Sequence, residues 1–296
     1  MNFLRKILPY QSRPVAFTVN SSSSAFTLIE LSIVLVIIGL IVGGVLVGQD
    51  LIKASRVRAT IAQIERYNAA TNTFRGKYGY LPGDIPDPGA SNFGFKARGA
   101  YAGEGDGNGV MEGVLSNAAG QNSGVQEGPG ENLTFWVDLS TAKLIDGGFT
   151  TADLTTLLTP NSATGVTDST SPPLSSYLPA AKLGGNLRVY VTSLSGINYF
   201  GISGVTSILF GQQLISTPNI PVNEAYLIDQ KMDDGLPSTG SVTARYLSSS
   251  YFGIWGAPFT ATPPIATTCY GTAAQVYSVT VNGGAGPNCA LAFRFQ

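Results

Sequence analysis

The chain has 296 residues, with 17 Lys plus Arg, 18 Asp plus Glu and no His. Without His, neither a Ser-His-Asp nor a Cys-His site can form, and the commonest zinc ligand is missing. Charged residues make up 12% and apolar residues 44%; this is about half the usual charged share and fits an extracytoplasmic surface better than a cytosolic enzyme.

Residues 1–25 carry Arg5, Lys6 and Arg13 and no acid, and they end in Ser21 to Ser24 and Ala25. Once this leader is removed, acid exceeds base. A mildly acidic body argues against nucleic acid as a partner, because phosphate binding needs clustered Lys and Arg.

An apolar run follows from Phe26 to about Gly48, with no charge between Leu31 and Val47. A bilayer core needs roughly 20 helical residues. An ordinary secretory signal has a shorter core and is cut after it. Here the small-residue junction precedes the core, so cleavage leaves the helix on the mature chain. The basic leader stays on the cytoplasmic side, which places the C-terminal body outside. Glu30 is the one charge in the run. A carboxylate there costs a few kcal/mol on insertion scales. It either snorkels to the headgroups or pairs with a free amine on Phe26 of a neighbouring helix.

Ala25-Phe26-Thr27-Leu28-Ile29-Glu30-Leu31 resembles the processing site of type IV pilins and type II secretion pseudopilins. The resemblance implies cleavage between Ala25 and Phe26 by a prepilin peptidase and N-methylation of Phe26. It gives Glu30 a role in docking a new subunit into a filament. It also implies other subunits, an inner-membrane assembly platform and membrane lipid as partners. The implied location is the bacterial inner membrane, single-pass, with the body in the periplasm before assembly. Two features depart from the family. Ala25 stands where Gly is usual, and no Pro lies between Phe26 and Tyr80. Gly39, Gly43, Gly44 and Gly48 form two small-xxx-small pairs instead, which allow close helix packing.

The helix is expected to continue past Asp50. Leu51, Ala54, Val57, Ile61 and Ile64 recur at spacings of three and four, an amphipathic pattern. Tyr67, Phe74 and Tyr78 extend it, and Gly76, Gly79 and Leu81-Pro82-Gly83-Asp84 stop it. About 52 residues at 1.5 Å each give ~80 Å, so a globular body must cover the apolar face of the second half. The division is a leader at 1–25, a long helix at 26–80 (membrane part 26–48) and a globular body at 81–296.

Residues 82–130 are rich in Gly and loops. Within them, Gly103–Gly113 reads GEGDGNGVMEG. Glu104, Asp106, Asn108 and Glu112 sit at spacings found in an EF-hand calcium loop, but the bidentate carboxylate position is Leu115. The segment is therefore a possible calcium site or a plain Gly-rich turn. Glu131–Ile145 reads as a helix, with Trp136 in the core. Ser162–Ser176 reads as an exposed loop. Leu187–Val191, Tyr199–Ile202, Val242–Leu247, Val276–Val281 and Leu291–Phe295 read as strands. Asn223–Lys231 reads as a short helix stopped at Asp233-Asp234-Gly235. The fold class is α+β, one long helix laid on an antiparallel sheet.

Cys269 and Cys289 are the two cysteines, either free or bridged. An exported location allows a bridge, and the family resemblance implies a C-terminal disulfide loop. That loop and Ser162–Ser176 would then face outward. The leading function is a structural filament subunit without catalytic residues. The body of some 220 residues suits a minor subunit, whereas Glu30 argues against the extreme tip. The alternative is a single-pass surface binding protein or enzyme that does not assemble.

Overall fold

The computed structural model describes residues 26–98, 105–113, 130–152, 165–208, 214–247, 254–260, 264–273 and 275–295. The chain divides into two units at Asp50/Leu51. Helix α1 runs from Leu28 to Tyr78. In the first unit its large apolar side chains are all exposed, from Leu28 to Val47. A Cβ at Gly39, Gly43, Gly44 or Gly48 would meet nothing within 4 Å, and the helix is unbroken across them.

In the second unit α1 buries Val57, Thr60, Gln63, Ile64, Tyr67, Ala70, Thr71 and Phe74. The spacing of three and four puts them on one face. The helix passes through Gly76, expected to help stop it, because that glycine keeps helical backbone. Gly79 and Gly83 end this run at φ of 83° and 88°. A Cβ at Gly83 would stand 2.6 Å from the Glu131 carbonyl oxygen, so the chain can turn closely over the next helix only with glycine there. A short helix α2 follows at Gly89–Asn92.

Helix α3, Glu131–Thr141, is buried on every side as far as Leu139. It has no polar face because it lies inside the core. It stops four residues earlier than the pattern predicts. Leu144 and Ile145 still pack on the core, but Lys143 takes a φ of 59°. Tyr67 of α1 lies edge-on to Trp136 of α3 at 5.0 Å, and Phe135 of α3 meets Phe200 at 5.9 Å. Such pairs add about 0.5–1.5 kcal/mol each beyond burial. Trp136 is fully buried, as expected of a core residue.

The main sheet is antiparallel. Strands β1 (Leu187–Leu194) and β2 (Ile197–Ile208) form a hairpin, longer than the two runs predicted there. Strand β3 (Leu214–Thr217) pairs with the end of β2. Helix α4, Val222–Met232, follows. Strands β4 (Val242–Thr243) and β5 (Arg245–Leu247) split the single strand predicted at 242–247. β5 leaves the main sheet to pair with β6, Ile254–Gly256. Three two-residue strands, β7 (Phe259–Thr260), β8 (Tyr270–Gly271) and β9 (Val276–Tyr277), form a third small sheet. β9 ends at Tyr277, and a turn closed by the Val281 N–H on the Ser278 carbonyl follows at once, so the strand predicted to run to Val281 is short. β10, Leu291–Arg294, returns to the main sheet and joins β2 to β4. Tyr190 and Gly201 face each other across β1 and β2, and a Cβ on Gly201 would lie 2.1 Å from the tyrosine ring. The missing side chain is what lets the buried Tyr190 lie flat on the sheet.

The α+β arrangement expected from the sequence is present: a long apolar N-terminal helix followed by an antiparallel sheet. Two expected loops are tied more closely to the body than their reading implies. Residues 162–164 lie outside the described residues, but Val166 is paired with Ile208 and Leu174 is fully buried, so the stretch from 165 on is tied to the body. Cys269 and Cys289 form a disulfide with both cysteines buried. Tyr277 and Ser278 within the loop are buried too, while Gln275, Val276, Thr280, Asn282 and Gly283 are exposed, so this loop faces outward as expected but is anchored to the body at its middle. Both ties have one cause: scattered apolar residues among Ser, Thr and Gly were enough to anchor each segment.

Candidate functional site

The start of α1 is built from Thr27 and Glu30. The Thr27 N–H and hydroxyl both donate to Glu30 Oε2 at 2.8 Å. The Glu30 N–H donates back to Thr27 Oγ1 at 3.3 Å, and the Leu31 N–H donates to the Thr27 carbonyl at 3.2 Å. This is a capping box. It satisfies amide groups that a helix N-terminus otherwise leaves unpaired. The spacing Thr-x-x-Glu is readable in the sequence, and it gives Glu30 a partner within its own chain. Both donors land on Oε2, and among the described residues no bond is made to Oε1. Phe26 is 86% exposed just before the cap. Ala25 lies outside the described residues.

The apolar run from Leu28 to Val47 is about 30 Å long as a helix, the thickness of a bilayer core. It is long and apolar enough to cross a membrane. Its one acid sits in the first turn, where the helix dipole favours negative charge.

A second polar centre lies in the globular unit. Of the four residues suggested for calcium, Glu104 lies outside the described residues. Asn108 is engaged inside its own loop, accepting the Val110 N–H at 2.7 Å and donating to Asp106 at 3.0 Å. Glu112 is buried, and its N–H donates to Glu131 at 3.0 Å. Only Asp106 joins an acidic group, and its companions are Asp84 and Glu131, with carboxylate oxygens within 4.8 Å of one another. Those three are the residues a divalent cation would meet. Asp84 and Glu131 are distant in sequence from the loop, so spacing alone does not reveal them.

The loop at 105–113 is wrapped on these acids by its backbone. Gly107 and Gly109 donate to Asp84 at 2.8 and 2.9 Å, and Gly105 donates to Glu131 at 2.8 Å. Burial, and then the charge of Asp84, push Glu131 up to about 10, so it holds a proton at neutral pH.

At the end of α4, Asp229 is fully buried. It accepts the Tyr277 hydroxyl at 2.7 Å and the Gly235 N–H at 3.2 Å. Burial pushes it up to about 6. A group raised on folding favours the folded state below its unfolded value and loses that contribution as pH rises through its folded value. Asp229 therefore weakens the fold between about pH 4 and 6, and Glu131 between about pH 4.5 and 10. Asp87 and Asp234 are lowered, by hydrogen bonds from Arg98 and Ser91 and from Thr239 and Leu236 respectively. Their contributions are lost only below about pH 4. Thermal melts are expected to show a maximum near pH 4 and a lower midpoint at pH 8. Asp229→Asn should flatten the slope between pH 4 and 6 and leave the slope above 6 intact. A wild-type midpoint that rises steadily from pH 5 to 8 would contradict this assignment.

Residues 20–46 match the family model of the prokaryotic N-terminal methylation motif. No curated protein and no solved structure matches the chain. The match covers the leader junction, Phe26, the Thr27–Glu30 cap and most of the apolar run, and does not reach the globular unit. The chain carries the leader motif of type IV pilins and pseudopilins, which marks it as a substrate for a prepilin-type peptidase and as a membrane-anchored, pilin-like protein.

Proposed function

We propose that this protein is a structural subunit of a type IV pilus or a type II secretion pseudopilus. It is cut between Ala25 and Phe26, methylated on Phe26, and assembled through α1. Its work is assembly rather than catalysis. The observation that carries the reading is the arrangement at the start of α1. A single carboxylate heads a membrane-length apolar helix, held by Thr27 through one oxygen and open at the other. An open carboxylate oxygen in a membrane lacks a donor, and a free Phe26 amine on an adjacent subunit supplies one. Before assembly the apolar half of α1 sits in the inner membrane with the globular unit in the periplasm. Afterwards it lines the filament core. Prepilin peptidase, an assembly platform and other subunits are the partners.

The test is to shear filaments from the producing cell and determine the N-terminus of this chain by mass spectrometry. The expected species begins at methylated Phe26 and occurs in the filament fraction. A chain found only in the membrane, with its leader still attached, would sink the reading and leave a membrane-anchored binding protein.

A further inference from the structure

We propose that copies of this chain meet head to tail through two patches of the globular unit. One is the cation-aromatic cluster of Lys77, Tyr78 and Phe93. The other is the pocket of Tyr226, Tyr277, Leu236 and Asp234 on another copy. This rests on the filament reading and adds to it a contact made outside the membrane helix.

The first patch stands at the end of α1. Phe93 is 51% exposed, and its ring lies 5.2 Å from that of Tyr78 in an edge-on arrangement. Lys77 Nζ is 4.9 Å from the centre of the Tyr78 ring. Tyr78 is half-buried and packs on the core, so it is the exposed Phe93 ring and the Lys77 ammonium that present apolar area and positive charge together.

The second patch has the opposite sign. A cavity of 470 Å³ is lined by Tyr226, Tyr277, Leu236, Val276, Pro264 and Asp234 among others, with no Lys or Arg among the described residues of its wall. Leu236 and Val276 are exposed large apolar residues, as are Phe259 and Ile265 in the same stretch of chain. Asp234 is fixed by the Leu236 N–H at 2.8 Å and the Thr239 hydroxyl at 2.7 Å. Asp229 and Asp233 lie behind it, with carboxylate oxygens of all three within 4.8 Å. The pocket therefore offers an apolar, aromatic wall under negative charge. A cationic aromatic knob matches it in both respects.

The two patches do not meet within one chain. Glu224, near the start of α4, feels the charges of Arg56 and Lys53, which places it beside the first turns of α1 in this unit. Lys77 lies a further 21 residues along α1, about 32 Å. The 11 residues of α4 cover about 16 Å, too little for the pocket at its end to reach Lys77. Two unlike patches on one subunit make a heterologous contact. Repeated without ring closure, such a contact gives an open helical assembly.

The experiment uses the full chain in sheared filaments. Phe93→Cys together with Leu236→Cys, oxidised with copper phenanthroline, is expected to give a ladder of linked multimers that neither single variant gives. Lys77→Asp and Asp234→Lys should each lower the ladder in that background by about tenfold, and the two together should restore it to within about twofold. Phe93→Asp, at an exposed site, should reduce filament yield without altering protease resistance. Normal filaments with no ladder overturn the contact and leave the filament reading standing. A double charge swap that restores nothing, with each single variant still protease-resistant, also overturns it. A chain absent from filaments altogether sinks both.

Discussion

Asp138→Ala is expected to lower the stability of the globular unit by about 3–5 kcal/mol, enough to unfold it. Asp138 sits in the middle of α3 with its side chain fully buried, and Arg98 is buried against it. Arg98 Nη2 donates to both carboxylate oxygens, at 2.6 and 2.5 Å. The Gly83 N–H donates to Asp138 Oδ2 at 2.7 Å, and Arg98 Nε donates to the Gly83 carbonyl at 3.3 Å. Arg98 also donates through Nη1 to the Lys96 carbonyl and through its backbone N–H to Asp87. The pair thus ties α3 to the turn after α1 and to residues 96–98. Alanine would leave a guanidinium buried without its counter-charge and the Gly83 N–H without an acceptor. Those two losses make the cost larger than that of a surface pair, which is worth about 0–1 kcal/mol. Removing both charges should be milder, so Asp138→Ala with Arg98→Met should recover part of the loss. Denaturant midpoints check this, and a loss under about 1 kcal/mol for Asp138→Ala would show that the pair is replaceable by water.

The sequence makes the helices and the membrane segment legible because periodicity and length report burial directly. The stripe from Val57 to Phe74 is read correctly, since each of its apolar residues meets the core, but Leu51 and Ala54, read as its start, are exposed because the cover of the globular body begins only at Val57. α3 is harder. Its residues Leu133 to Leu139 are all buried, so no polar face marks where the helix ends, and the apolar Leu144 and Ile145 extend the pattern past the true stop at Thr141. The break between β4 and β5 is invisible for a related reason. Val242 to Leu247 is uniformly strand-like, and the change of sheet at Ala244 comes from tertiary pairing: Ala244 donates to Pro237 and accepts from Ala257.

The polar centres separate in the same way. The Thr27–Glu30 box is local, so its spacing is visible in the sequence. The Arg98–Asp138 pair spans 40 residues, and the bond from Glu112 to Glu131 spans 19. No local pattern announces either. Gln63 is the clearest case of a role set by packing alone. On an amphipathic helix it looks like a polar interruption of the stripe. In the fold it donates to the Ala180 carbonyl at 2.8 Å and accepts the Lys182 N–H at 2.8 Å, satisfying the edge of that segment that faces away from its bridge to β1 at Arg188.

Glu30→Ala is expected to leave membrane insertion and leader cleavage intact and to lower incorporation into filaments by about 10- to 100-fold. Insertion should become easier, because removing a carboxylate from an apolar helix relieves a cost of a few kcal/mol. The loss at assembly would follow from the proposed bond between Oε1 and the Phe26 amine of an adjacent subunit; a bond to a charged donor is worth about 1.5–3 kcal/mol, and each 1.4 kcal/mol is a factor of ten. Two further variants separate that charge from the cap. Thr27→Val removes the hydroxyl that donates to Oε2 and accepts from the Glu30 N–H; the helix end then weakens by about 1 kcal/mol while the charge remains. Glu30→Gln keeps a side chain able to close a capping box but removes the charge. If pairing with an amine is what Glu30 does, Gln behaves like Ala and Thr27→Val stays near wild type. If the cap is what matters, the order reverses, with Gln near wild type and Thr27→Val impaired. Incorporation measured in sheared filaments against a membrane-fraction control distinguishes the two, because insertion is held constant while only the end of α1 changes.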